Sequence, residues 1–575
     1  MVIPRSATRF FAWTALAATL CTAGISRAEA PPAAAPVATE AAPAAATDPG
    51  AAPVDPAAAP APDAAAAALV VDEAMTKLQT TADKAAADST EAILSINVMW
   101  MLLAGFLVFF MQAGFALVEA GFTRAKSVAH TMMMNMMVFC IGAIGYYLTG
   151  FAFMFGGVNH TYEAVNGLDA WAFSPITLGD WTGLLDHELV IGGHGIIGLS
   201  GFCLAGLSAN FGVLAFFLFQ MVFMDTAATI PTGSMAERLN FKGFIAMSLW
   251  VSMIIYPIVA GWIWGGGWLA NLGRSMGLGN GAVDFAGSGP VHMIGGATAL
   301  AGAIVIGPRI GKFNADGTAN AIPGHNIPMG ILGTIILFFG WFGFNPGSSL
   351  GFTGPFHNLA VLAAVNTLLA GAAGGMSAMT YMWVFGPSKK PDPGMSVNGL
   401  LAGLVAITAP CAFVDTWAAV VIGIIAGVLV CFASFGLEKM QIDDPVGAVP
   451  VHMVNGCFGV LAVGIFANGN PDTAAWNGVA TPVTGLIYGG VGQFLAQVTE
   501  AGTVAIVVTG ASYVFYKMVD AMGWLRSAPE DELAGLDMPE MGAPGYTTDD
   551  VVMHGSGSGS RFRGAISPIK KLASK

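Results

Sequence analysis

The chain alternates long apolar runs with short polar connections. Apolar segments of about 20 residues, the length that crosses a bilayer, begin near Val98, Val128, Phe211, Phe244, Val291, Ile327, Leu359, Asn398, Ala418, Val449 and Leu486. This pattern predicts an all-α integral membrane protein with eleven transmembrane helices. Val190 to Ala209 is apolar enough to compete as a twelfth. The basic residues decide against it. With the N-terminus outside, eleven spans place Arg124, Lys126, Arg238, Lys242, Arg309, Lys312, Lys389, Lys390, Lys439, Lys517 and Arg526 on the cytoplasmic side and leave only Arg274 outside. Cytoplasmic loops carry the excess of Lys and Arg, and a twelfth span would reverse every later loop. Residues 157–210 therefore read as a long periplasmic excursion, with His160, His187 and His194 as loop residues.

Composition agrees with lipid as the solvent. Hydrophobic residues make up 55% of the 575 residues and charged residues 10%, with a mean hydropathy of +0.68. A soluble domain carries roughly 25% charged residues. The 76 glycines suit helices that approach closely where no hydrophobic force separates protein from lipid. At the start, Arg5 and Arg9 precede an apolar run from Phe10 to about Ile25, and Ala28-Glu29-Ala30 has the small-x-small form of a cleavage site. Residues 1–30 thus read as a signal peptide. Residues 31–95 read as an Ala/Pro-rich periplasmic tether, extended to about 68, with a short polar helix over 69–95. The membrane domain is expected over 96–522 and a cytoplasmic tail over 523–575. Cys140, Cys203, Cys411, Cys431 and Cys457 lie scattered in apolar runs without a C-x-x-C spacing, so they read as small core residues and not as a metal site.

One four-residue word occurs twice inside these runs. "PVHM" spans Pro290–Met293 and again Pro450–Met453, and Asp284 and Asp444 stand eight residues ahead of His292 and His452. An ionisable residue inside a span is a functional hypothesis by default, and a neutral imidazole is the least costly one to place there. His292 falls on the fifth span and His452 on the tenth, so their helices run in opposite directions. That is the mark of an inverted repeat, here five spans plus five with the eleventh added, whose site lies where the halves meet. Two facing neutral imidazoles share one hydrogen bond and leave an outward nitrogen on each for a small polar solute. Asp284 can accept backbone N–H groups and add negative charge at the outer mouth, whereas Asp444 reads as a plain cap. Aromatic side chains gather near the same path: Trp262, Trp264 and Trp268 in "WIWGGGWL", Phe219 and Phe223 in "FQMVF", and Trp341, Phe342 and Phe344 beside Ser348 in "GWFGFNPGSS". Ring faces attract a small cation by about 0.5–2 kcal/mol.

Taken in order, "AGFALVEAGFTRAKS", "FQMVF", "MAERLNF", "WGGG", "DFAGSGPVHM", "GWFGFNPGSS" and "DDPVGAVPVHMVNG" resemble the ammonium transporter (Amt/Mep/Rh) family over roughly residues 95–526, on the Amt branch. The resemblance implies an eleven-span homotrimer in the cell inner membrane, with one conduction path per subunit and the C-terminus cytoplasmic. It implies an outer ammonium recruitment site of Phe223, Trp264 and Ser348 with Asp284 in support. It also implies a stacked gate of Phe223 and Phe344 and a pore lined by His292 and His452; Gln220 lies beside the gate. Ammonium would lose its proton at the outer site and pass as ammonia, with the proton following separately. Ammonium or ammonia and the lipid bilayer are then the partners, with a PII signalling protein possible at the cytoplasmic face. No enzyme activity, cofactor, metal or nucleic acid is implied, and no G-x-x-x-x-G-K nucleotide motif occurs. The alternatives are an Rh-like neutral gas channel and an ammonium sensor.

The sequence departs from the family pattern at several places. Pro290 and Pro450 precede the histidines where Val or Gly is more usual, so each helix is expected to kink or begin later there. In the tail "AGLDMPEMGAPGY", Met541 and Ala543 replace the family's His and Glu. His130, His325, His357 and His554 read as structural.

Overall fold

The computed structural model of the protein describes residues 62–158, 181, 184–474, 476 and 479–546. The signal peptide, the tether up to residue 61, His160 and the end of the chain with His554 lie outside these. The chain divides into two units, 1–91 and 92–575. In the first, the described side chains from 68 to 91 are all exposed. The segment expected as an extended tether to 68 followed by a separate polar helix is instead one helix, α1 (Pro62–Phe122), which runs without a break into the first apolar stretch. Its Ala-rich opening has the highest helix propensity available, and a proline is tolerated where first-turn N–H groups have no partner anyway.

The second unit is a helical bundle. Ten helices among the described residues are long and apolar enough to cross a membrane. After α1 come α2 (Ala125–Phe155), α3 (Phe211–Ser234), α4 (Phe241–Trp264), α5 (Ser288–Ile306), α6 (Ile327–Gly347) and α7 (Phe356–Val384). A shorter apolar helix, α8 (Pro393–Thr408), precedes α9 (Thr416–Lys439), α10 (Val449–Phe466) and α11 (Val491–Ala521). The competing apolar stretch near 190–209 is not a helix. It forms an antiparallel hairpin, β1 (Glu188–Ile191) with β2 (His194–Gly198), turning at Gly192 and Gly193, both at positive φ. Val190, Ile191, Ile196 and Ile197 alternate with glycines there, which suits a ribbon better than a helix.

The helices α5 and α10 cross antiparallel at the centre. A side chain added at Gly459 would meet Ser288, one at Gly456 would meet Ser288 and Met293, and one at Gly296 would meet His452 and Met453, so contacts ascend along one helix as they descend along the other. The same order continues past the helix ends, where Arg309 after α5 pairs with Asp443 before α10. Small residues permit such approaches elsewhere too. On α7, α8 and α9, a Cβ at Gly403 would sit 2.3 Å from the Ala370 carbonyl and one at Gly427 2.1 Å from the Gly374 carbonyl, so any larger residue would push these helices apart.

The end of the bundle where α5 stops and α10 starts is tied by buried ions. Arg309, 3% exposed, grips Asp443 with Nε (2.8 Å) and Nη2 (3.0 Å) and reaches Glu237 with Nη1 (2.6 Å). Glu237 also pairs with Arg124, and buried Arg238 donates to the Asp443 carbonyl (2.8 Å). Burial alone would raise the Asp443 carboxyl, but the Arg309 hydrogen bonds and the charges of Arg238 and Arg309 hold it down, from an ordinary 3.8 to about 2. A carboxyl lowered on folding contributes stability that is complete above its unfolded value and is lost as pH falls toward the folded one. Arg309→Met leaves Asp443 and Glu237 buried without that cation and is expected to cost about 3–5 kcal/mol. Thermal unfolding in detergent should show this loss, and the wild type should lose stability between about pH 4 and pH 2 where the variant changes less.

Candidate functional site

Both histidine segments begin in the same way. In the first, the Asp284 carboxylate accepts Gly287 N–H (2.5 Å) and Ser288 N–H (3.2 Å) at Oδ1 and Gly289 N–H (2.7 Å) at Oδ2. In the second, Asp444 accepts Gly447 N–H (3.1 Å) and Ala448 N–H (3.1 Å) at Oδ1 and Val449 N–H (2.8 Å) at Oδ2. Each carboxylate thus takes the N–H groups three, four and five residues on, groups that an uncapped helix start leaves unsatisfied. The turn requires a left-handed residue, Gly287 at φ +111° and Gly447 at φ +80°. A proline follows in the first turn, where its missing N–H costs nothing. The helix then opens as a wide π turn, Ser288–Met293 and Val449–Val454, with His292 N–H reaching back five residues to the Gly287 carbonyl (3.0 Å). The prolines therefore shape the start of each helix and put no kink in its middle.

Asp284 was expected among the recruiting residues. Both of its oxygens serve the cap, and its residue is 1% exposed. It reaches the aromatic site through its backbone carbonyl, which accepts from Trp264 Nε1 (2.7 Å). The helix α8 ties the two caps together. At one end Asn398 Nδ2 donates to the Val446 carbonyl (3.2 Å); at the other, Ser288 Oγ donates to the Val405 carbonyl (2.7 Å) and accepts from Ala409 N–H (2.8 Å).

The two wide turns bring the imidazoles face to face. His292 Nδ1 and His452 Nδ1 are 3.2 Å apart and share one hydrogen, with ring centroids 5.2 Å apart at 27°. His292 is fully buried, and its Nε2 has no hydrogen-bond partner. The rings extend into a row. Phe344 lies 5.5 Å from His292 and stacks on Phe223 at 4.1 Å and 25°. Trp264 meets Phe223 edge-on at 6.0 Å. A small cavity of about 10 Å³, near the size that holds one water molecule, is walled by Phe219, Gln220, Phe223, Trp264, Ser348 and Trp476 among others. The Gln220 Oε1 atom is buried there without a partner. A larger cavity of about 170 Å³ is also lined by Trp264 and Trp476, together with Asp284 and Arg274. The structure thus gathers Phe223, Phe344, Trp264, Ser348, His292 and His452 along one path, while Trp262 and Trp268 meet each other at a tilt of 57°, with Trp262 donating to the Ile196 carbonyl of β2.

Comparison with known proteins gives the family. Residues 99–546 match the Ammonium Transporter Family. The chain belongs to this family. It is 43% identical over 456 residues to the ammonium transporter Amt2 of Archaeoglobus fulgidus, covering 79% of this chain and 88% of the relative. It is 34% identical over 466 residues to ammonium transporter 1 member 3 of Solanum lycopersicum, covering 79% of this chain and 93% of the relative. Among solved structures it is similar to one described as "Sensor Amt Protein", with TM-score 0.65, 34% identity, and 78% of this chain and 99% of that chain covered. Mep2 of Candida albicans matches with TM-score 0.60 at 25% identity over 76% of this chain and 87% of that one.

One aromatic neighbour stands elsewhere than the sequence reading put it, and two more, Trp476 and Phe115, escaped that reading. Trp341, expected at the mouth, instead stacks on His292 at 5.2 Å and 20° and is fixed by Nε1 donating to Thr408 Oγ1 (2.9 Å). Trp476 donates to the Ser348 carbonyl (2.9 Å) and stacks on Phe285 at 4.7 Å. Phe115 lies 6.2 Å from His452. Trp476 stands in an irregular connection with no periodicity to expose it. Among the described residues no His/Cys/Asp/Glu group could hold a metal ion, and the five cysteines there are free.

The caps yield a direct test. Asp284→Ala strands three N–H groups and is expected to cost about 3 kcal/mol, at about 1 kcal/mol or more for each buried group. Asp444→Ala should lose about as much, since it strands the same number, and both losses should show in thermal unfolding followed by size-exclusion. Equal stability of the Asp284→Ala variant and the wild type would contradict the capping role.

Proposed function

We propose that the protein takes up ammonium at the Trp264 end of the ring row, removes its proton, and conducts ammonia past His292 and His452, with the proton following separately. The observation that carries this reading is the continuous row from Phe223 through Phe344 and His292 to His452, ending in a buried Nδ1–Nδ1 hydrogen bond of 3.2 Å. A cation would leave its hydration shell to enter such a row, at a cost of several kcal/mol or more. Neutral ammonia can travel as a single hydrogen-bonded guest. Before that point, the faces of Phe223 and Trp264 and the Ser348 hydroxyl form a pocket suited to a small cation. Ser348 Oγ donates to the Phe344 carbonyl (2.9 Å), which leaves its lone pairs free to accept from ammonium. Rings stacked at 4.1 Å leave no room between them, so passage requires a swing of Phe223 or Phe344.

The architecture that goes with this reading has eleven spans, counting α8, arranged as an inverted five-plus-five repeat with α11 added. The antiparallel crossing of α5 and α10 and their matching caps support it. Arg124, Arg238, Arg309 and Arg526 gather at one end, which by the basic-residue rule is cytoplasmic. The mature N-terminus is then outside, in the inner membrane, and the working unit is a homotrimer. The likeness to a protein described as a sensor favours one second reading, in which ammonium binding is signalled and not transported.

Current on a solid-supported membrane after an ammonium pulse separates these. The wild type should give a current, and His292→Ala and His452→Ala should abolish it or convert it to an uncoupled cation leak. Ammonium binding without current in the wild type would overturn transport of charge and favour the sensor or a neutral gas channel.

A further inference from the structure

Glu119 on α1 has no part in the path described so far. It is 3% exposed, and no cation pairs with it among the described residues. Its Oε2 accepts from Asn135 Nδ2 (2.8 Å), and its Oε1 lies 2.8 Å from Thr232 Oγ1. That hydroxyl has one hydrogen and two acceptors within reach, the Glu119 carboxyl and the Thr229 carbonyl. Glu119 thus has neutral polar partners only, a setting that suits a protonated acid. A buried carboxylate without a cation is costly. The acid opens onto a cavity of about 20 Å³, space enough for one small molecule, whose wall also includes Phe115, Asn398, Gly447 and His452.

We propose that Glu119 and this cavity form a second ammonium site, where ammonia that has passed His452 takes up a proton and is held as ammonium. The inference rests on the reading in which ammonia travels past the two histidines. In the step, the lone pair of ammonia takes the Glu119 hydrogen. An N–H bond forms, the O–H bond breaks, and its electron pair stays on the carboxylate. The ammonium is held against that carboxylate and the ring face of Phe115. As it leaves, Glu119 regains a proton, the one removed from ammonium on the outer side, so one ammonium crosses per cycle. A cation formed here meets the counter-charge that the row itself lacks.

The test uses the full chain in proteoliposomes, with difference infrared spectra and solid-supported-membrane currents recorded on ammonium chloride perfusion. In the wild type, ammonium should deplete a protonated-carboxyl band that is missing from Glu119→Gln. That variant should carry about a hundredfold less current, the usual scale for a lost acid–base group, and Glu119→Asp should recover part of it. Wild-type current in Glu119→Gln, or an acid band that ammonium leaves unchanged, overturns the site. A wild type without current strikes the transport reading instead, and the infrared band still decides whether Glu119 meets ammonium. If Glu119→Gln does not assemble, Thr232→Val, which removes the acid's hydroxyl partner, should shift the band; an unmoved band overturns the proposal.

Discussion

Three successive backbone N–H groups aimed at one carboxylate form the constraint on which the centre of this molecule depends, and the chain uses it twice. A helix that starts inside a membrane has no water to satisfy its first turn. Asp284 and Asp444 supply that acceptor from within the chain, and the left-handed glycines after them bend the backbone so that the carboxylate can reach. Once the start is secured, the first turn is free to widen, and the widened turn presents a histidine across the gap between α5 and α10. The 3.2 Å contact of the imidazoles is a consequence of these two starts. Neither helix could be shifted by a residue without breaking its cap.

Much of this was legible in the chain itself. Apolar length located ten of the helices, because lipid demands about 20 residues whatever their order, whereas α8 is shorter than that. The repeated word located the histidines, and their separation by an odd step of five spans, fifth to tenth, implied the antiparallel crossing. What the sequence concealed was the level of each ring along the path. Trp341 and Phe344 are three residues apart on α6 and share a face, yet one stacks on His292 while the other also meets Phe223. Nothing local distinguishes them. Asp284 and Asp444 looked different because only one was assigned to a mouth, whereas their bonds are the same in kind and position. The stretch at 190–209 had the hydropathy of a span and the glycine spacing of a ribbon, and the charges outside it, not its own residues, resolved the choice.

The polar groups divide by the help they receive. Arg309 and Asp443 are buried with full bidentate pairing, so their charges persist as a tie between the two central helices. The histidines and Glu119 are buried with neutral partners only. Groups of the first kind hold shape, and those of the second kind can exchange a proton without dismantling an ion pair.

The last described stretch of the chain returns to helix ends laid down far earlier. Asp537 accepts the His130 N–H (2.9 Å) at the start of α2, Glu540 accepts the Phe241 N–H (2.8 Å) at the start of α4, and Glu532 accepts the Ile310 N–H (2.6 Å) just beyond α5. Synthesis runs from the N-terminus at about 5–20 residues per second, so these groups wait many seconds for partners made last. Insertion of the spans and closure of this face are therefore separate events in the life of a newly made chain, and a chain cut short before Glu532 would reach the membrane without ever completing the second.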